Sequence, residues 1–155
     1  MRSPASSILV DDSLWPLVRV TFPRVITNHQ QTELFERVQL ALKRGERHVA
    51  LVDFRELHAL TSEQREHQWR FLQEQAVPMR QWSMGIVALI NSPTLALVTR
   101  TIIHRIKPSV VPHSIVASWP AAVSWAADRL RDNGLVEHAS LVRQRLGTSS
   151  GSRVG

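Results

Sequence analysis

Residues 17 to 22, "LVRVTF", alternate Val18, Val20 and Phe22 with Leu17, Arg19 and Thr21, which is the period of a half-buried strand. "SILV" (7–10) reads as a strand before it, hairpinned to it through "DDSLWP", and Pro23 closes the pair. From Asn28 to Arg44 the apolar positions Leu34, Phe35, Val38, Ala41 and Leu42 fall on one helical face, and Gly45 follows as a C-terminal stop. "HVALVDF" (48–54) is almost continuously apolar, as a strand covered on both faces would be. A charged helix follows from about Thr61 to Ala76, its inner face expected to carry Trp69, Leu72 and Ala76.

"MGIVALI" (84–90) is a second buried strand. Asn91, Ser92 and Pro93 then start a helix over 94–106 whose inner side holds Leu95, Val98, Ile102 and Ile106. "HSIVAS" (113–118) is the last strand, Trp119 to Asp132 the last long helix, and "LVEHASLVRQRL" (135–146) a short additional one. The order is ββαβαβαβα. This predicts an α/β fold: a mixed sheet of about five strands covered by about four helices, plus the short C-terminal helix. Residues 1–146 form one domain in this reading, and the Gly/Ser-rich 147–155 a flexible tail.

Composition narrows the classes. A chain of 155 residues with 43% hydrophobic and 21% charged residues can build one ordinary core. It has no cysteine, which excludes disulfides, thiolate metal sites and cysteine nucleophiles. No apolar run approaches the roughly 18 residues of a membrane span, and the N-terminus lacks the apolar core of a signal peptide. The expectation is a cytoplasmic protein that does not insert into membranes. The net charge of +6 raises nucleic acid as a partner, but the arginines are scattered rather than gathered into a footprint.

Chemistry-bearing motifs are sparse. The seven histidines show no ligand spacing, so no metal is expected. Gly-rich phosphate loops, nucleophile elbows and paired catalytic carboxylates are missing too, and neither a cofactor nor an active site is expected. Asp53 ends a strand where α/β enzymes place catalytic groups, but beside Arg55 it reads as an ion pair or loop brace. Thr61 with Gln64 three residues on is a capping box. The pair Thr61–Ser62 is also a phosphorylation candidate, because a phosphate there would meet the helix dipole favourably and Glu63 and Glu66 unfavourably. Glu63 to His67 and Glu66 to Arg70 have the spacing of helical ion pairs. Trp69 and Phe71 point about 200° apart on a helix, so one of them is expected to face a partner. Arg100, His104 and Lys107 form a basic stripe that either edges a packed helix or contacts an anion.

The element order, the strand "ALVDFREL", the strand "MGIVALI" with its helix, and the closing "HSIVASWPAAVSWAADRL" with Ala122 and Trp125 resemble the STAS superfamily over about residues 6–132. The likeness is to its bacterial SpoIIAA-like, anti-sigma-factor-antagonist branch. That resemblance implies a regulatory protein-interaction module, not an enzyme. Its strand ends in an Asp (here Asp53), and a hydroxyl at the next helix start (here Thr61–Ser62) is phosphorylated by a partner kinase to switch binding. This chain departs from the motif, with Leu at 60 instead of Asp and Glu at 63 instead of Gly. The expected interaction surface comprises Asp53, Arg55, Thr61, Ser62, Arg65, Trp69, Asn91 and Ser92. Its expected partner is a protein: a kinase, an anti-sigma-type regulator or a second copy of the chain. A small-molecule or lipid-binding domain, with an apolar pocket under helix 94–106, and more weakly a nucleic-acid binder, remain alternatives.

Overall fold

A computed structural model describes residues 7–105 and 111–149. Its five-stranded sheet has the order β1 (Leu9–Leu14), β2 (Leu17–Thr21), β3 (His48–Asp53), β4 (Ser83–Leu89), β5 (His113–Val116), following the chain. β1 runs antiparallel to β2, and β2 to β5 are parallel. Each parallel connection moves one strand in the same direction, so right-handed crossovers put their helices on one face. These are α1 (Asn28–Lys43), α2 (Ser62–Glu74), α3 (Ala76–Trp82) and α4 (Pro93–Arg105). α5 (Trp119–Asp132) and α6 (Val136–Ser149) cover the other face.

The pleat assigns the strand residues to two cores. Leu17, Val49, Leu51, Val87 and Leu89 pack against Ala122, Ala126, Ala127 and Leu130 of α5 and Val142 of α6. Val20, Val52, Ala88 and Ile115 pack with Leu34 of α1 and Leu95 and Ala96 of α4. β3 is thus covered on both sides, as its continuous apolar run predicts. Alanines on α5 let that helix lie close to the sheet. At Gly85 a Cβ would come within 2.8 Å of the Trp125 ring.

Three boundaries differ from the sequence expectation. β1 runs on through Asp11 to Leu14, leaving only Trp15–Pro16 for the turn. An edge strand tolerates such polar residues, and Arg19, opposite Asp11 in the register, holds its carboxylate at 2.6 Å. The helix expected over 61–76 breaks at Gln75 (φ −96°, ψ 12°) and restarts as α3. The break places Pro78 in a first turn, where its missing N–H costs nothing. The expected tail at 147–155 begins inside α6, which continues to Ser149, and residues 150–155 lie outside the described residues.

Candidate functional site

The parallel strands end together at one edge, and the chain leaves β3 there through Phe54 to Leu60 before α2 begins. That connection is tied down along its length. Phe54 N–H donates to Leu89 O at 2.9 Å, His58 N–H to Arg24 O at 3.0 Å, and Leu57 is buried. Asp53 is buried and accepts from Arg55 N at 3.0 Å, Nε at 3.1 Å and Nη2 at 2.8 Å. This is the brace expected from the sequence. The hydrogen bond with Asp53 raises the Arg55 guanidinium pKa above its ordinary value, against the opposing effect of burial. The same guanidinium lies 5.3 Å from the ring of Trp119, the first residue of α5. Trp119 Nε1–H donates to Leu146 O, so the edge is linked through one indole to the end region of α6.

At the start of α2 the capping box is complete. Gln64 N–H donates to Thr61 Oγ1 and Thr61 N–H to Gln64 Oε1, both at 3.0 Å. Gln64 does more than cap: it is 4% exposed, and its Nε2 donates to Ile26 O at 3.0 Å and Asn28 Oδ1 at 3.2 Å. Gln31, also buried, donates to Gln64 O at 3.0 Å. α1 begins with a capping box of its own at Thr27, so two capped helix starts are joined side by side by glutamine amides. Ser62 is exposed at the first helical position, and its Oγ accepts from Arg65 Nη2 at 3.0 Å; Arg65 Nη1 donates to Leu60 O at 2.8 Å. The two hydroxyls therefore differ, Thr61 being committed to the cap and Ser62 held only by a surface guanidinium.

The other expected residues divide. Asn91 is exposed at the same strand edge, and Ser92 caps α4 through Leu95 N–H at 3.2 Å. Trp69 lies farther along α2, half-buried, with the Arg105 guanidinium 4.1 Å from its ring, so it belongs to the α2–α4 contact and not to the edge. Phe71 points into the core, stacked on Phe35 at 4.0 Å between centroids. The expected helical pairs give way to longer-range ones: Glu66 meets Arg105 of α4 at 3.6 Å, Glu63 accepts from Asn28 at 3.2 Å, and the His67 ring meets Phe35 edge-on. Arg100 and His104 are exposed, whereas Lys107 lies outside the described residues. Beneath α4, Leu95 and Ala96 pack against Ala88 and Ile90. An open cavity of about 480 Å³ sits at the opposite end of the sheet.

Sequence reasoning missed Trp119 and the inter-helix role of Gln64 and Gln31. The box spacing marks Gln64 as a cap, but no local signal reveals partners in α1. Among the described residues no cluster of three or more His, Asp or Glu could hold a metal, and no helix is long and apolar enough to cross a membrane. No family model matches this chain, and neither the curated proteins nor the solved structures compared with it contain a match.

Proposed function

We propose that this chain is a non-enzymatic, STAS-like regulatory module that binds a protein partner through the carboxyl edge of its sheet, with Ser62 as its switch residue. One juxtaposition supports the reading: an exposed serine hydroxyl at the positive end of a 13-residue helix, bonded to Arg65 and carried on an anchored helix start. A phosphate on Ser62 would gain the Arg65 guanidinium and the helix dipole. Its opponents are partly occupied, Glu63 by Asn28 and Glu66 by Arg105. Thr61 is the poorer acceptor because its oxygen closes the capping box. The phosphate would change the charge at the start of α2 without unseating the helix, whose cap is carried by Thr61 and Gln64, as a switch at a docking surface requires. The partner class is a kinase, an anti-sigma-type regulator or a second copy of the chain.

The test is affinity capture from the native organism with wild type, Thr61→Ala, Ser62→Ala and Ser62→Glu, read by mass spectrometry for partners and for phosphate on residues 61 and 62. The expected result is a partner held by wild type and Ser62→Ala and lost from Ser62→Glu. Identical partner sets in all four samples would remove the switch. A partner set that Arg55→Met and Arg65→Ala also leave untouched would remove the proposed surface.

A further inference from the structure

Four segments meet at the amino end of the sheet around the open cavity of about 480 Å³, a size within the roughly 300–1,000 Å³ of small-molecule sites. They are the β1–β2 turn, the α1–β3 loop, the start of β4 and the α5–α6 connection. Pro16 and Met84 are buried and, with Leu135, give the cavity an apolar floor. The wall residue Trp15 is held by the His48 ring, stacked at 5.5 Å, and by the Arg44 guanidinium at 4.1 Å.

The charges at the lip are unevenly paired. Glu46 shares the Arg44 guanidinium with Asp12, at 2.9 and 4.0 Å. Arg47 has no carboxylate within ion-pair reach among the described residues, and its Nη2 donates instead to the neutral Asn133 Oδ1 at 2.5 Å. Asn133 is itself fixed, because its Nδ2 donates to Arg129 O at 2.7 Å. A neutral amide therefore positions a guanidinium that makes no direct ion pair among the described residues beside an apolar floor, and most of its five donors remain for something else. A planar carboxylate matches the guanidinium fork, whereas a di- or triphosphate would need several cations.

We infer that this cleft binds a small organic carboxylate with an aromatic-sized apolar body, the body on Pro16, Met84 and Leu135 and the carboxylate on Arg47. The site lies at the end of the sheet opposite Ser62 and is independent of the switch. The test is nitrogen-15 NMR titration of the full chain with 2-naphthoate as probe and 2-naphthalenemethanol as its neutral analogue. For a cleft this open the expected Kd of the acid is of order 1 mM. Shifts are expected at the Trp15 indole N–H and at the amides of residues 47 and 133–135. The alcohol should bind about tenfold more weakly, the usual scale of one charge-assisted contact. Arg47→Met, a change at an exposed side chain, should bring that ratio to about one, while Ser62→Glu leaves it alone. Equal affinity for acid and alcohol, a preference that survives Arg47→Met, or no movement at these residues up to about 10 mM would overturn the assignment.

Discussion

Replacing Gln64 by leucine keeps the volume of the side chain and removes the amide that joins the starts of α1 and α2. Three hydrogen bonds go: Nε2 to Ile26 O, Nε2 to Asn28 Oδ1, and Thr61 N–H to Oε1. The Ile26 carbonyl is left buried without that donor, at a cost of about 1–3 kcal/mol. Thr61 N–H loses half of its capping box, about 0.5–1 kcal/mol more. Asn28 is exposed and recovers its bond from water. Extra apolar burial returns up to about 1 kcal/mol, so the net loss lies between about 0.5 and 4 kcal/mol, centred near about 2 kcal/mol. Urea unfolding should show this as a lower midpoint with an unchanged slope, and melting should fall by roughly 5–10 °C. Native-state hydrogen exchange should show the Thr61 and Gln64 amides losing protection. Gln64→Glu supplies a sharper control: the introduced carboxyl can still accept from Thr61 N–H but, when ionised, cannot donate to Ile26 O. The ionised carboxyl leaves the buried Ile26 O without its donor, so this variant should also be less stable than wild type at neutral pH. A Gln64→Leu loss below about 0.5 kcal/mol would show that the inter-helix amide contributes nothing beyond the fold around it.

Arg55→Met strips the Asp53 carboxylate of its guanidinium but leaves it the residue-55 backbone N–H, and with the arginine partly exposed the cost should be about 1–3 kcal/mol in chemical denaturation; the further change Asp53→Asn should restore part of it. Failure of the double variant to recover any stability would mean that the pair is not the brace of the β3 edge. Gly85→Ala drives a Cβ to 2.8 Å from Trp125 and 3.1 Å from Arg129 Cγ, so a loss of about 1–3 kcal/mol is expected, read by thermal melting. Asp11 is held down from its ordinary 3.8 to about 2 by the Ser13 hydrogen bonds, with Arg19 adding to them. A depressed carboxyl contributes stability above its unfolded pKa and loses it as pH falls through the folded one. Wild type should therefore lose that contribution between about pH 4 and 2, and Asp11→Asn should lack that part of the acid limb. Superimposable acid-unfolding curves for the two proteins would contradict this.

Periodicity and caps were legible because they depend on residues a few positions apart. The two-sided burial of β3, the apolar face of α1 and the Thr61–Gln64 box all follow from spacings of one to four residues, where backbone geometry alone sets which side chains meet. The break at Gln75 is marked by Pro78, yet the helical spacing of Leu72, Ala76 and Met79 continues through it, and only the need to place proline in a first turn locates the new start. The Asp53–Arg55 brace was also readable, two residues apart at a strand end. Which of Trp69 and Phe71 turns inward was not. Both occupy plausible helical faces, and the choice falls to Phe35 on α1 and Arg105 on α4, elements brought alongside α2 by the sheet order.

The same holds for the chemistry. The exposure of Ser62 and the cap at Thr61 are local properties of a helix start, so the Thr61–Ser62 pair could be named from spacing alone. The burial of Gln64 between two helices and the Arg55–Trp119 contact rest on residues 33 and 64 positions apart, meeting across separate elements. The amino-end cleft assembles four segments, and Arg47 reaches Asn133 over 86 positions. Helical and strand periods are carried by the chain itself; contacts of this range exist only once parallel strand pairing has ordered the elements, because it alone brings such distant residues within bonding distance.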